Sequence, residues 1–190
     1  MDISGLMDAS FNAAIKALVM GTSASSLTRA RERAFVRRLI DQLQINFDDG
    51  EHRIFASSQR GNQPDFGSNQ LLYDIAVCRI GEGVTDARKS ESFRYVAKAL
   101  WQIEVDFSRE WKPALYAINR LICGAADGKL LVACQDRRAQ DRFLNTLLKP
   151  SAACAGALYL ALIPHPTTWD EAYDTPAVWR LAEGEWERQR

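Results

Sequence analysis

The chain has no excess charge of either sign and few of the residues that build metal clusters. Lysine plus arginine and aspartate plus glutamate each total 24 in 190 residues, and only two histidines are present. This balance argues against a protein that simply coats nucleic acid, although it is compatible with a local basic face. The four cysteines form no C-x-x-C pair, which is typical of reduced, mostly buried thiols in a cytoplasmic protein: Cys78, Cys123, Cys134 and Cys154.

Long apolar runs and nucleotide-binding loops are also missing. No apolar run approaches the roughly 18 residues that cross a bilayer, so we expect no membrane association. Residues 1–20 place Asp2 and Asp8 ahead of the apolar positions and lack a basic segment, so we expect no signal peptide. The absence of a G-x-x-x-x-G-K-[ST] loop argues against a nucleoside triphosphatase. The length and a hydrophobic content of 47% predict one domain with a sizeable core.

Apolar spacing predicts a leading helix within residues 1–24 and a stronger helix from about residue 25 to 44. Glu32 falls on the apolar stripe of the second helix, one turn before Val36. Because a lone buried charge is unfavourable, Glu32 either pairs with an arginine of its own helix or reaches a functional site. The arginines of this helix form either a solvated face or a phosphate-binding one.

The remaining pattern predicts an α/β fold, with a central mixed sheet flanked by helices. Strands are expected at 52–56, 71–78, 97–107, 129–134 and 156–163, with helices beginning near 110 and 137 and stopping before Pro150. Segment 61–68 is expected to be a loop, and the connection 81–92 a long mobile one. The core covers about 25–163. The tail, 164–190, carries three tryptophans and is expected to end in a helix from about Pro176; it would dock on the body or mediate a homodimer or a protein partnership.

Acidic side chains interrupt two neighbouring predicted strands. Asp74 lies inside the strand 71–78, while Gln102, Glu104 and Asp106 share one face of the next strand. If these strands pair, the three carboxylates converge. Crowded carboxylates repel one another unless a cation lies between them, and hard oxygen ligands suit Mg²⁺ or Mn²⁺. The sequence therefore predicts a divalent metal site.

This order of elements, with one acid in a central strand and Glu-x-Asp in the next, resembles the PD-(D/E)XK nuclease superfamily over residues 25–163. The resemblance implies a restriction-endonuclease-like αβββαβ core with extra N- and C-terminal helices. It also implies metal-dependent hydrolysis of phosphodiester bonds in nucleic acid, with DNA as the first candidate. Asp74 and Glu104 would bind Mg²⁺ or Mn²⁺, which would activate a water and stabilise charge on the phosphate. Glu32 would match the acid that many members supply from the first core helix.

The resemblance departs from the family pattern at Asp106, which occupies the lysine position of the motif. Lys112, in the opening of the following helix, is the better-placed substitute. Lys98 lies six residues from Glu104, about 20 Å along an extended strand. Both lysines are also consistent with solvated surface positions. Pro64-Asp65 spells the family's dipeptide but stands in a polar loop, so Asp74 is the preferred first acid.

Two other functions remain open. A catalytically silent module would keep the fold, with Asp74 and Glu104 bridged by an arginine such as Arg79 or Arg94, and would bind a protein or nucleic acid. An unrelated α/β enzyme would use the acids in general acid–base catalysis within a ligand pocket. Dependence on a divalent metal distinguishes the nuclease from both.

Overall fold

The structure, a computed structural model, describes residues 1–17, 23–47, 49–85, 91–134, 139–171 and 175–189. Its helices are α1 (Ile3–Lys16), α2 (Ala24–Asn46), the four-residue α3 (Gln63–Phe66), α4 (Trp111–Ile122) and α5 (Gln140–Ser151). Its strands are β1 (His52–Ala56), β2 (Ile75–Val84), β3 (Ser92–Asp106), β4 (Gly128–Cys134), β5 (Ala157–Ile163), β6 (Ala177–Ala182) and β7 (Glu185–Arg188). The predicted α/β class, with a mixed sheet and flanking helices, is confirmed.

The seven strands form one open sheet in the order of the chain. Strands β1, β2 and β3 make an antiparallel meander, β3, β4 and β5 are parallel, and β6 and β7 add antiparallel strands at the far edge. Parallel neighbours need a crossover connection, which α4 and α5 supply. The sheet thereby fixes β3, the strand that carries Glu104, between an antiparallel and a parallel partner.

Helices cover both faces of the sheet. Helices α1 and α2 bury one face, where Phe35 and Leu39 pack with Ile103 and Val132. On the other face, α4 and α5 pack against the alternate residues of β4 and β5, among them Ile118, Leu147, Leu131 and Leu160. All seven residues of β4 are buried, as expected for a strand covered on both faces.

Local chemistry sets the helix ends. A capping box between Ser23 and Ser26 opens α2. Pro113 is tolerated in the first turn of α4, where a backbone N–H has no intrahelical partner. The expected stop of α5 before Pro150 was wrong: the helix continues to Ser151, and its buried Leu147 holds the last turn against the core.

The central hairpin differs from the prediction. Strand β2 begins at Ile75, so Asp74 lies immediately before the strand and not within it. Strand β2 continues to Val84 and β3 begins at Ser92, so residues 81–84 and 92 of the expected mobile connection are paired strand, and residues 86–90 lie outside the described part of the chain. The two glycines in β2 obscured this strand in the sequence, because glycine is depleted in strands. The expected loop 61–68 contains a 3₁₀ turn and α3.

The tail forms strands, and the predicted C-terminal helix was wrong. Strands β6 and β7 are joined by a turn in which Glu183 and Gly184 both have positive φ, the geometry of a tight hairpin. Trp169 and Trp179 are buried, and Trp186 Nε1 donates to the Leu144 carbonyl at 3.1 Å, so the tail docks on the body. Valine and tryptophan favour strands, and pairing with β5 realises that preference. None of the described helices is long and apolar enough to span a membrane.

Candidate active site

The structure brings Asp74 and Glu104 together at the junction of β2 and β3. Ile75 pairs with Ile103 in antiparallel register, which places the preceding Asp74 beside Glu104. Asp74 Oδ2 accepts a hydrogen bond from the Val105 backbone N–H at 2.9 Å. This bond fixes the Asp74 carboxylate against the strand that carries Glu104, although Asp74 itself is outside the strand.

Arg120, near the end of α4, contacts the second acid directly. Its Nε donates to Glu104 Oε1 at 2.9 Å, and its Nη2 donates to Glu104 Oε2. The Glu104 side chain is 1% exposed, whereas that of Arg120 is 53% exposed. The pair is therefore a bidentate contact between a buried carboxylate and a guanidinium that still faces solvent.

The charges of this site act on one another. Burial raises the pKa of Glu104, the Arg120 hydrogen bonds oppose that rise, and the nearby Asp74 carboxylate adds to it. The hydrogen bonds to Glu104 raise the pKa of Arg120, and the charges of Glu104, Asp74 and Asp106 contribute in the same direction. All three predicted acids therefore act on one guanidinium.

Arg120 was missed by the sequence reading, which suggested Arg79 or Arg94 as a bridging arginine. The structure engages Arg94 elsewhere, with Asp65 and Glu82, each at 3.3 Å. Arg120 could have been found from the helical pattern. It adjoins the buried stripe of α4, in which Ala117 and Leu121 face the sheet, so its side chain starts at the edge of the covered face.

Asp106 lies two residues after Glu104 but makes different contacts. Its Oδ1 accepts from the Ser108 N–H at 3.0 Å, and its Oδ2 accepts from Ser108 Oγ at 2.9 Å. Asp106 therefore stabilises the turn between β3 and α4. Its charge acts on Arg120, but among the described residues it forms no hydrogen bond with Glu104.

Glu32 lies on α2, on the side of the sheet opposite α4. Burial raises the pKa of Glu32, and the Arg29 and Arg33 charges oppose the rise. After burial and the charge of Asp106, the Glu32 charge is a further cause that raises the pKa of the Cys134 thiol. Glu32 thus lies near the carboxyl end of β4, while the groups that shift the pKa of Glu104 are Arg120 and Asp74.

Neither candidate lysine forms an ion pair with the acids among the described residues. The Lys112 ammonium lies 5.9 Å from the centroid of the adjacent Trp111 ring. Eight residues separate Lys112 from Arg120, about 12 Å along a helix. Lys98 pairs with Asp127 at 2.5 Å. The cation beside Glu104 is therefore the arginine of α4.

Two further polar residues of this face are buried. Gln102 Oε1 accepts from the Ala126 N–H at 3.3 Å, and a Cβ on Gly124 would come within 1.9 Å of that oxygen. Lys129, paired with Gln102 across the parallel strands, is fully buried, and its ammonium makes no hydrogen bond to a nitrogen or oxygen of a described residue. It lies close enough to the Cys154 thiol to lower the pKa of that thiol, against the larger effect of burial. The apolar strand pattern around Lys129 concealed it in the sequence.

The set of metal donors in this site is small. The described part of the chain contains no group of three or more His, Cys, Asp or Glu side chains that could hold a metal ion. Mg²⁺, however, commonly takes one or two carboxylates and completes its octahedron with waters and substrate phosphate oxygens. Asp74 and Glu104 fit that mode of binding, provided that Arg120 releases an oxygen of Glu104.

Comparison with known proteins found no relative: no protein-family model, no curated protein and no solved structure matches this chain. The function is therefore inferred from the residues of the site and from their geometry.

Proposed function

We propose that the protein is a metal-dependent nuclease of the PD-(D/E)XK type that hydrolyses phosphodiester bonds of nucleic acid, with DNA as the first candidate. The observation that carries the proposal is the meeting of Asp74 and Glu104 at the start of β2 and within β3, beside a cation. An antiparallel meander of three strands, followed by a helix and a parallel strand, supports a restriction-endonuclease-like core.

In this proposal Asp74 and Glu104 hold Mg²⁺ or Mn²⁺. A bound divalent ion supplies an activated water and stabilises charge on the phosphate. Val105 holds the Asp74 carboxylate in place through its backbone N–H. The β3 backbone and the surrounding core hold Glu104, which is almost completely buried.

Arg120 supplies the positive charge in place of the motif lysine. Its Nε and Nη2 bind Glu104, while its Nη1 makes no hydrogen bond to a described residue and can donate to a phosphate oxygen. An arginine stays protonated in proteins, so it orients and neutralises a phosphate and does not take a proton from water. Lys112 would lie at the other end of α4, where it can contact a flanking phosphate.

A second candidate is the catalytically silent module that binds a protein or nucleic acid. The observation that favours it is the bidentate pair itself, because both oxygens of Glu104 already accept hydrogen bonds from Arg120. In that case the acids and the arginine are a structural ion pair that joins α4 to the sheet.

Calorimetric titration with Mn²⁺ separates the two candidates. We expect binding by the parent protein, loss of binding in Asp74→Asn and in Glu104→Gln, and unchanged binding in Asp41→Asn. Asp41 is the control because it is a half-exposed aspartate of α2 that pairs with Arg38. Cleavage of single- and double-stranded DNA in Mg²⁺ should follow the same pattern.

Arg120→Met gives an independent test of the arginine. A nuclease should retain Mn²⁺ binding in this variant, since the two carboxylates remain, and should lose most of its cleavage. A folded parent protein that binds no Mn²⁺ and cleaves neither substrate would overturn the nuclease and leave the silent module.

A further inference from the structure

Strands β2 and β3 continue beyond the rest of the sheet as a two-stranded ribbon, which consists of residues 81–84 and 92–95. On one side, β1 pairs with β2 no further than Arg79. On the other side, β4 pairs with β3 only from Trp101 onward. Among the described residues, therefore, no other strand flanks the ribbon. Helix α3 approaches one face, where its Asp65 pairs with Arg94, and the opposite face is open to a ligand.

One face of the ribbon carries two exposed aromatic rings. Phe93 is 46% exposed and Tyr95 48% exposed, with ring centroids 6.1 Å apart. Each ring lies over the glycine opposite it, since a Cβ on Gly81 would be 2.5 Å from Tyr95 Cζ and a Cβ on Gly83 would be 2.5 Å from Phe93 Cζ. The glycines let the rings rest on the backbone while the outer surfaces of the rings remain in water.

Two cations continue the same face. Residues directly opposite in an antiparallel pair share a face, and Arg79 pairs with Lys98 as Gly81 pairs with Tyr95. Lys98 and Tyr95 are three positions apart, a spacing that would put them on opposite faces of a regular strand. The register shift between Arg79 and Ile80 adds one residue to β3 at this point, so that Lys98 and Tyr95 lie on the same face. Arg79 is exposed to solvent. The face therefore presents two rings followed by two cations, of which Lys98 is paired with Asp127 and Arg79 forms no ion pair with a described residue.

We propose that this face of the ribbon binds single-stranded nucleic acid, with Phe93 and Tyr95 stacking on bases and Arg79 and Lys98 contacting phosphates. Stacking platforms beside a positively charged groove are the general means of binding single strands without reading their sequence. The cations favour a polyanion over a second copy of this chain, which has no net charge. The inference rests on the proposed function for its class of ligand and adds the part of the protein that holds it.

The ribbon is a binding surface and not part of the cleavage site. Nine residues separate Tyr95 from Glu104, about 30 Å along an extended strand. The rings also lie on the sheet face opposite Glu104, because Ile103 and the residues that alternate with it point to the α2 side. The ribbon would thus hold a segment of strand that flanks the bond to be cleaved.

Fluorescence anisotropy with a labelled poly(dT) oligonucleotide in EDTA tests the proposal, because EDTA prevents metal-dependent cleavage. Loss of one stacked base weakens binding about 5- to 150-fold, so we expect the double variant F93A/Y95A to raise Kd at least about tenfold. The control Ile45→Ala, which removes an exposed apolar side chain of α2, should leave Kd unchanged. The conservative double variant F93Y/Y95F should retain binding.

Two single variants separate a loss of binding from a loss of folding. Gly81→Ala keeps both rings but displaces that of Tyr95, and should weaken binding with an unchanged circular dichroism spectrum. Arg79→Gln should weaken binding and reduce the dependence of log Kd on log salt by roughly 0.7, the value for one phosphate contact on a single strand. Equal Kd values for the parent, F93A/Y95A and Gly81→Ala would overturn the proposal. Self-association of the parent that F93A/Y95A abolishes would overturn it in favour of a second copy.

The two proposals fail separately. Oligonucleotide binding that depends on the rings, without Mn²⁺ binding or cleavage, would support the ribbon as a binding surface and overturn the proposed nuclease activity. Mn²⁺ binding with cleavage, and an oligonucleotide Kd that does not change when the rings are removed, would support the nuclease activity and overturn the ribbon as a binding surface.

Discussion

Replacing Arg120 with alanine removes the cation that faces the buried Glu104 carboxylate. Two charge-assisted hydrogen bonds disappear, while Glu104 stays covered by the sheet and by α4. Breaking a buried ion pair in this way typically lowers the free energy of unfolding by about 3–5 kcal/mol. Because Arg120 is half-exposed and water can take its place, we expect a loss of about 2–3 kcal/mol at pH 7.5.

The loss should depend on pH. Burial and the Asp74 charge hold the pKa of Glu104 above its usual 4.5, so between pH 4.5 and that raised pKa folded Glu104 keeps a proton that the unfolded chain has released. The contribution of Glu104 to the free energy of unfolding therefore falls as the pH rises from about 4.5 to its folded-state pKa, and this contribution is constant at higher pH. In Arg120→Ala the opposing hydrogen bonds are gone and the pKa of Glu104 rises further. The difference from the parent should therefore grow from pH 4 to pH 7.5.

Urea unfolding followed by tryptophan fluorescence measures the free energy of unfolding and its dependence on pH. The variants are Arg120→Ala, Glu104→Gln and the two combined, which form a double-mutant cycle, with Arg38→Ala as the control. Arg38 pairs with Asp41 on the surface of α2, with both side chains about two-fifths exposed, and such pairs contribute about 0–1 kcal/mol. We expect a coupling energy between Arg120 and Glu104 above roughly 1 kcal/mol. A loss in Arg120→Ala no larger than in Arg38→Ala, with no pH dependence, would refute the reasoning.

Three other outcomes are expected. Lys129→Met should raise the free energy of unfolding by about 1–2 kcal/mol in urea titrations, because the buried ammonium has the weakly accepting Cys154 thiol beside it and no oxygen or nitrogen partner among the described residues. A lower free energy of unfolding in the variant would show that the Cys154 contact compensates the buried charge. Gly124→Ala should lower the free energy of unfolding by about 1–3 kcal/mol, because its new Cβ would overlap the Gln102 side chain. The control Gly61→Ala has open space around it and should change the free energy of unfolding little; equal effects of the two substitutions would contradict the close packing at Gly124. Burial raises the pKa of the Cys78 thiol to about 11, so a chromogenic disulfide reagent should modify exposed Cys123 first and Cys78 only on unfolding, and early loss of Cys78 would argue against its burial.

Arg120 has a different role in each of the two candidate functions. In the silent module it is a structural counterion, and its replacement affects stability alone. In the nuclease its replacement also removes a contact to the phosphate, so cleavage should decrease more than the lost stability explains. Measuring cleavage at a temperature where Arg120→Ala remains folded separates these effects.

The sequence by itself determined the class of the fold and the elements of its centre. Helical periodicity predicted α2 closely, and short apolar runs predicted β4 and β5, because strands covered on both faces are apolar throughout; β1 was also predicted, at 52–56. The alternation in β3 also predicted correctly that Glu104 and Gln102 share a face. Local pattern sufficed wherever an element's own residues show that it is buried on one face or on both faces.

Tertiary structure decided the rest, since it depends on partners far away in the chain. Residues 177–188 became strands because the edge of β5 offered hydrogen bonds that no local propensity reveals. Gly81 and Gly83 entered β2 because rings from β3 cover them. The cation of the candidate site came from α4, 16 residues after Glu104, because the crossover returns that helix over β3. A sequence shows which acids need a counterion; packing alone selects which cation supplies it.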